Sequence, residues 1–280
     1  MNIFSLLNKC VEILKNNGIE NPVYESELLI SHFLNIERYK IYTEKIEIKE
    51  NFVKKILKLI DKRVRGYPLQ YLIKKAYFFD IEFKIVEGVF IPRPETELLV
   101  EEVICLYKKY FYPKKIKILD IGTGCGNIGI SLALNIENCF VKGVDISKKA
   151  LKIARENAIL NNVKNKVKFF YSNIFSNINE KFEIITSNPP YISEKDYAKL
   201  DREVKKEPKR SLYGGKDGLK VIRKIIKECK HYMKKNGFLV LEIGYNQTKK
   251  IKEFIPDELE IVKVKKDFSG IERVLVFKKK

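Results

Sequence analysis

The sequence predicts an α/β fold: a mostly parallel sheet of seven strands with helices on its faces, preceded by a small helical domain. Three observations carry that prediction. Apolar residues recur at helical spacing over the first 75 or so positions. From about residue 116, short apolar runs alternate with amphipathic helical stretches, the pattern of βα units and a parallel sheet. The chain then closes with two strand-like runs and no helix between them, which reads as an antiparallel pair.

At the N-terminus, Ile3, Phe4, Leu7, Val11 and Leu14 line one helical face and Gly18 stops the run. Asn21-Pro22 opens a second helix through Leu28, Leu29 and Phe33, because proline fits a first helical turn. A third runs from about Glu50 to Val64, with Phe52, Ile56, Leu59 and Ile60 on one face. Gly66 and Pro68 close it, and Leu69 to Ile73 add a turn. No acid–base or ligand cluster falls in this region, so it reads as a docking or lid module without chemistry. The period then changes: AYFFDIEFKI alternates about Asp80, as a hairpin does. In GVFIPRPETELLVEEV, Pro92 and Pro94 hold an extended segment before a helix that starts near Glu95.

Residues 1–75, 76–94 and 95–280 thus read as helical domain, hairpin with linker, and α/β domain. Within the last, KIKILDIG, CFVKGVDIS, KVKFFYS, FEIITSNPPY and FLVLEIG are strands. NIGISLALN, KKALKIARENAILNN and LKVIRKIIKECKHYMKKNG are helices, and ELEIVKVKKDFSGIERVLVFK is the closing pair. Ligands of such sheets bind outside the carboxyl ends of the strands, where strand order reverses.

Composition narrows the class. The 280 residues leave room for one catalytic domain and a small one. At 45% hydrophobic the chain can bury a core, which excludes wholesale disorder. No uncharged apolar run reaches the roughly 18 residues of a membrane helix. MNIFSLLNKCVEILKNNG interleaves apolar residues with charges and lacks the frame of a signal peptide. The net charge is +19, but only nine of the 55 basic residues are Arg. That Lys-, Ile- and Asn-rich mix reads as the codon bias of an AT-rich genome, so direct nucleic-acid binding is not required; an anionic partner is the alternative. Cys10, Cys105, Cys125, Cys139 and Cys229 are odd in number, with no CxxC and only His32 and His231 beside them. No zinc pattern can be assembled, and a reduced, cytoplasmic protein without a metal is expected.

The chemistry is concentrated at strand ends. The first α/β strand ends in Asp120-Ile-Gly122-Thr123-Gly124-Cys125-Gly126, whose glycines permit tight turning and close approach of a ligand at a helix N-terminus. Asp145 follows at the end of the second strand, where a carboxylate can accept both hydroxyls of a ribose. These features specify an adenosine-containing cofactor and leave NAD(P) and S-adenosylmethionine both open. Asn188-Pro189-Pro190-Tyr191, after the fourth strand, decides between them. A planar NH2 group is a poor nucleophile. The Asn188 side-chain oxygen and the Pro189 carbonyl can each accept one of its hydrogens, and the prolines offer no competing N–H. Tyr191 would pack on the flat acceptor. Geometry at a methyl sulfonium then replaces a strong base.

With these residues in place, the chain resembles the peptide-chain release factor glutamine methyltransferases over nearly its whole length. Asp120 to Gly126 look like the family's S-adenosylmethionine loop, Asp145 like its ribose acid, and Asn188 to Tyr191 like its amide-binding motif. That motif is shared with adenine DNA and guanine-N2 rRNA methyltransferases. More specific are GYPLQYLIKKAYFFDIEFKIVEGVFIPRPETELLVEE, with Pro92 to Glu97 as the Pro-Arg-Pro-x-Thr-Glu signature, and the later loop of Glu207-Pro208 and Leu212 to Gly218. The resemblance implies a class I S-adenosylmethionine-dependent methyltransferase, Rossmann-like, with a helical N-terminal domain that docks the partner. It implies methylation of the glutamine in the Gly-Gly-Gln loop of a class-1 release factor, which would enter a cleft between the helical domain and the sheet. By this correspondence Gly122, Thr123, Gly124, Cys125, Gly126, Asp145, Asn173 and Asn188 bind cofactor. Asn188, Pro189, Pro190, Tyr191 and Arg93 meet the substrate, with Asn188, Pro189 and Tyr191 catalytic and Phe90 and Thr96 nearby.

The chain departs from the family at Ser172-Asn173-Ile174, where Ser-Asp followed by an aromatic residue or Leu is usual. Asn173 can still hydrogen-bond an adenine amino group, without charge, and Ile174 gives apolar contact in place of stacking. Cys125 replaces a common Thr or Ser. Three rivals remain: a methyltransferase of exocyclic amines in nucleic acid, a ribosomal-protein glutamine methyltransferase, and a binding module on an inactive methyltransferase fold. A DNA enzyme usually adds a target-recognition region for which no residues are left. The Pro92–Glu97 signature favours the release-factor branch over the ribosomal one, and intact Gly122, Asp145 and Asn188–Tyr191 argue against a dead fold.

Overall fold

Helix α1 (Ile3–Asn16) starts where the Asn2 side chain accepts the Phe4 N–H at 2.8 Å, and it buries Ile3, Leu6, Leu7, Cys10 and Leu14. Phe4, expected on that face, instead lies half in solvent with its ring edge-on to Tyr42. The buried stripe is rotated towards Leu6 and Cys10, which are fully buried. Around α1 stand α2 (Pro22–Leu34), the single turn α3 (Lys40–Thr43), α4 (Glu50–Val64) and α5 (Leu69–Ile73). The computed structural model describes residues 1–280, and they fall into two units. The helical one is Met1–Lys75 together with Asp201–Lys206. That return of a distant segment has no signature in the hydrophobic pattern. It is fixed by a charge: buried Arg63 bonds Glu25 at 3.0 Å and pairs with Glu203 at 2.8 Å.

The second unit is Ala76–Leu200 with Glu207–Lys280. Strands β1 (Lys75–Phe78) and β2 (Ile81–Lys84) make the hairpin. Phe79 and Asp80 turn it with φ of 53° and 58°, the left-handed pair that suits the twist of two strands. A short 3-10 turn, Pro94–Thr96, leads into α6 (Glu97–Leu106). The alternating part follows: β3 (Ile116–Ile121), α7 (Asn127–Asn135), β4 (Cys139–Asp145), α8 (Lys148–Leu160), β5 (Val167–Tyr171) and β6 (Phe182–Ser187). After two short helices, α9 (Glu194–Lys199) and α10 (Lys209–Leu212), come α11 (Lys220–Glu228), β7 (Met233–Glu242), α12 (Thr248–Lys252), β8 (Leu259–Lys266) and β9 (Glu272–Lys279).

The seven strands are ordered β5-β4-β3-β6-β7-β9-β8. All neighbours are parallel except the two pairs made by β9. The central strands are near-continuous apolar runs because helices cover them; Ile118, Leu119, Ile184, Ile185, Leu239 and Val240 are fully buried. Strand order reverses between β3 and β6, and there Asp120 pairs with Thr186 and Ile121 with Ser187. This register brings the glycine loop after β3 and the Asn-Pro-Pro-Tyr segment after β6 to one level, at the crevice where such sheets bind ligands. No helix of the chain is long and apolar enough to cross a membrane.

Candidate active site

The carboxyl ends of β3, β4, β5 and β6 open onto a cleft of about 930 Å³, its mouth included. One wall is the loop after β3. Gly122, Gly124 and Gly126 take φ of 71°, 56° and 88°, angles that L side chains rarely adopt. A Cβ on Gly124 would meet only the Gly122 carbonyl, at 4.0 Å, so the glycine keeps the backbone open to a ligand. Beneath the loop lies Asp120, fully buried. Its Oδ2 accepts the Thr123 hydroxyl at 2.5 Å and its Oδ1 the Thr186 hydroxyl at 3.3 Å, which ties the loop to β3 and β6. Burial pushes the Asp120 carboxyl up to about 6 in spite of those bonds. Asn157 of α8 braces the loop from behind: its Nδ2 donates to the Cys125 carbonyl at 2.9 Å, while its Oδ1 accepts the Lys84 N–H of β2 at 2.7 Å.

Asp145 closes β4. Its Oδ2 accepts the Gly124 N–H at 3.0 Å and its Oδ1 the Ser147 N–H at 2.7 Å. Each oxygen keeps a second lone pair for a ligand hydroxyl. Desolvation raises its pKa, opposed by those two N–H groups and by Arg210, which lines the same cleft. Ile146, Asn173 and Ile174 add the neighbouring wall. Ile174 has φ of 59°, a strained angle for a β-branched residue. Ser172 holds it there: its hydroxyl donates to the Ile174 carbonyl at 2.9 Å and accepts the Asn177 N–H at 3.1 Å.

Opposite stand Asn188, Pro189 and Pro190. Asn188 Nδ2 donates to Thr96 Oγ1 at 2.9 Å, which pins the amide by its NH2 end and leaves Oδ1 as the acceptor for a ligand. The Pro190 and Tyr191 carbonyls are packed against the loop after α10. A Cβ on Gly214 would come within 2.6 Å of the first, and one on Gly218 within 2.3 Å of the second, so only glycine fits. Gln247 Nε2 also donates to the Tyr191 carbonyl, at 2.9 Å.

Gly122, Thr123, Gly124, Cys125, Asp145, Asn173, Asn188, Pro189 and Pro190 therefore line one cleft, with Phe90 beside them. Gly126 lies outside it, where a Cβ would press on Ile130, Phe169 and Ala154 at 3.0–3.2 Å. Tyr191 and Arg93 are not on the wall either. The Tyr191 ring packs on the core beneath β7 and its hydroxyl donates to Glu242 Oε1 at 3.3 Å. Arg93 pairs with buried Glu207, donates to the Ile91 carbonyl at 3.0 Å, and lies 4.8 Å over the Phe90 ring. Both read as supports of residues that line the cleft. In the sequence Glu207 stands out only as part of a loop that resembles the family's, with no role given to it, and Glu242 does not stand out at all, although it ends the otherwise buried strand FLVLEIG. Arg210 and Ser211 sit in α10, a single turn too short for any periodicity to place it.

The residues present suit an adenosine-type group bearing vicinal hydroxyls. Asp145 offers acceptors for the hydroxyls, Ile146 and Ile174 an apolar wall, and Gly124 an open backbone. Comparison with known proteins points the same way. A family profile described as PrmC N-terminal domain matches residues 5–73, and one described as Methyltransferase small domain matches residues 94–215. A release factor glutamine methyltransferase of Fusobacterium nucleatum is 40% identical, over 98% of this chain and 78% of its own length. Another, of Thermodesulfovibrio yellowstonii, is 39% identical over 98% of both chains. Among solved structures, a T. thermophilus 16S rRNA methyltransferase in complex with AdoMet and guanosine superposes with a TM-score of 0.50 at 18% identity. That match covers 74% of this chain and 50% of the other, a likeness of fold.

Proposed function

The chain belongs to the release factor glutamine methyltransferase family, and from that premise we propose that it methylates the side-chain amide nitrogen of the glutamine in the Gly-Gly-Gln motif of class-1 release factors. The chemistry is that of an S-adenosylmethionine-dependent methyltransferase: the cofactor supplies an electrophilic methyl group on a sulfonium. Asp145 would hold its ribose hydroxyls, the Gly122–Cys125 backbone its methionine side, and Asn173 with Ile174 its adenine. The observation that carries the reading is Asn188, fixed by Thr96 with its NH2 end turned away from the ligand. Its Oδ1 would accept one N–H of the glutamine amide and the Pro189 carbonyl the other, which aims the nitrogen lone pair at the methyl group. Both contacts strengthen as the nitrogen gains positive charge, so they act on the transition state. The amide nitrogen would gain the methyl group as the methyl–sulfur bond breaks, and would give up one N–H proton to water at the mouth of the cleft.

The helical unit is the part we assign to holding the body of the release factor. Its Tyr24, Tyr39 and Tyr42 are exposed, as an interaction surface requires. The test offers labelled S-adenosylmethionine with a class-1 release factor, with ribosomal proteins, and with rRNA or DNA, each separately. Label on the release-factor glutamine supports the proposal. Label only on ribosomal protein or nucleic acid overturns it.

A further inference from the structure

Behind Asn188 lies a second layer that the methyl-transfer reading does not use. Glu242, at the end of β7, is 1% exposed in the middle of the sheet. Its Oε1 takes the Tyr191 hydroxyl at 3.3 Å, and its Oε2 is buried without a partner in good geometry. The other donor acting on this carboxylate is the Thr96 hydroxyl. Thr96, itself 1% exposed, is the residue whose Oγ1 receives the Asn188 NH2 group. Asn188 thus donates to Thr96, and the Thr96 hydroxyl acts in turn on Glu242, lowering its carboxyl although no hydrogen bond in good geometry reaches Oε2. A buried carboxyl with an unsatisfied oxygen is costly, and sheets do not keep one at a strand end without a compensating use.

Resting on the methyl-transfer reading above, we propose that Glu242 is a positioning residue for that reaction and that only its carboxylate form sets Asn188 to accept the substrate amide. An ionised Glu242 can only accept, so the Thr96 hydrogen points to it and Thr96 Oγ1 is left to accept from Asn188 Nδ2. Asn188 Oδ1 then faces the ligand. A protonated Glu242 donates to Thr96 Oγ1 instead. The Thr96 hydrogen must find another acceptor, and Asn188 Oδ1 becomes one when the amide turns over. The end of Asn188 facing the ligand then carries hydrogens, which repel the N–H groups of a substrate amide.

Burial, ahead of every other influence, pushes the Glu242 carboxyl up to about 7, so both forms are populated near neutral pH. The charged and titratable groups acting on it are few. Tyr191, from the segment after β6, and Arg273, on β9, lower it together with Thr96, and Glu95, in the turn before α6, raises it. Tyr191 is pushed up and stays neutral here, as does the Cys125 thiol, pushed up to about 12. Asp120, at about 6, is the other carboxyl that titrates near this range, and it belongs to the Thr123 and Thr186 side of the cleft.

The experiment is single-turnover methylation of a class-1 release factor at saturating S-adenosylmethionine from pH 6 to pH 8.5, with cofactor affinity measured by calorimetry on each protein. Wild type should speed up about tenfold between pH 6 and pH 8, the change in ionised fraction for a group near 7. Glu242→Gln mimics the neutral acid. It should bind cofactor as wild type does, turn over about tenfold more slowly at pH 8, and lose the pH rise. Thr96→Val should behave the same way, and Thr96→Ser should restore both rate and pH rise. If Glu242→Gln does not fold, as failure to bind cofactor would reveal, the Thr96 pair carries the test. A Glu242→Gln or Thr96→Val protein with the wild-type rate and pH rise overturns the proposal. A wild-type enzyme that transfers no methyl to release factor overturns the functional reading itself, which is a different result.

Discussion

The Asn188 side chain donates to Thr96 Oγ1 at 2.9 Å across 92 residues of sequence, so the Pro-Arg-Pro segment before α6 sets the orientation of the amide after β6. The two signatures are thus one device. The first fixes Thr96 on a short 3-10 turn, and the second places Asn188 at the sheet crevice beside it.

The site proposed for the ribose gives the first prediction. Asp145 accepts two backbone N–H groups and keeps lone pairs for ligand hydroxyls. Asp145→Ala removes that acceptor and also frees the Gly124 loop. Hydrogen bonds to a charged acceptor are worth about 1.5–3 kcal/mol each, so S-adenosylmethionine should bind at least tenfold more weakly by calorimetry. Affinity within twofold of wild type would exclude Asp145 from the cofactor site.

Much of this was legible in the sequence. The βα alternation predicted the seven strands because covered strands must be apolar throughout, and the glycines of Gly122 to Gly126 marked a loop that only left-handed angles can build. Asp145 and Asn188 were legible because their chemistry is local to a strand end. The partners of Arg93 and Tyr191 were not legible, because the side-chain direction of a residue next to proline depends on tertiary contacts: Glu207 lies 114 residues from Arg93 and Glu242 lies 51 from Tyr191. Nor could spacing show that Asp201–Lys206 joins the helical unit, since a buried ion pair through Arg63 leaves no periodic trace.

Arg93 itself supplies a prediction about stability. Its partner Glu207 is 4% exposed and also accepts the Ile91 N–H at 3.0 Å. Arg93→Ala leaves that carboxylate buried with its charge uncompensated. Arg93 is itself partly exposed, so the cost should be about 2 kcal/mol, below the range for a fully buried pair. Urea unfolding should show that loss, and a Arg93→Ala, Glu207→Gln double variant should recover part of it. An unchanged midpoint for Arg93→Ala would mean that the pair does not brace the segment.

A third prediction concerns pH and stability. The Glu242 carboxyl, ordinarily near 4.5, is raised to about 7 in the folded protein. A raised acid favours the folded state while it is protonated. Its contribution is full below about pH 4.5, declines as pH rises, and is gone above about pH 7. At 1.36 kcal/mol per pH unit the swing is on the order of 3 kcal/mol. Between pH 5 and pH 8 the melting temperature of wild type should therefore fall further than that of Glu242→Gln. Asp120 has the same sign in both proteins and cancels in the comparison. Parallel pH dependence in the two would show that Glu242 does not titrate across this window.

The most direct measurement is single-turnover methylation of a class-1 release factor by wild type and Asn188→Ala, both saturated with S-adenosylmethionine. On the proposed function Asn188 Oδ1 accepts from the glutamine amide, so its removal should act on the chemical step and little on cofactor affinity. A misplaced nucleophile costs on the order of a hundredfold. A loss of that size, on the glutamine identified as methylated by wild type, is the expected result. Turnover by Asn188→Ala within about twofold of wild type would contradict the amide-holding role on which the proposed function rests.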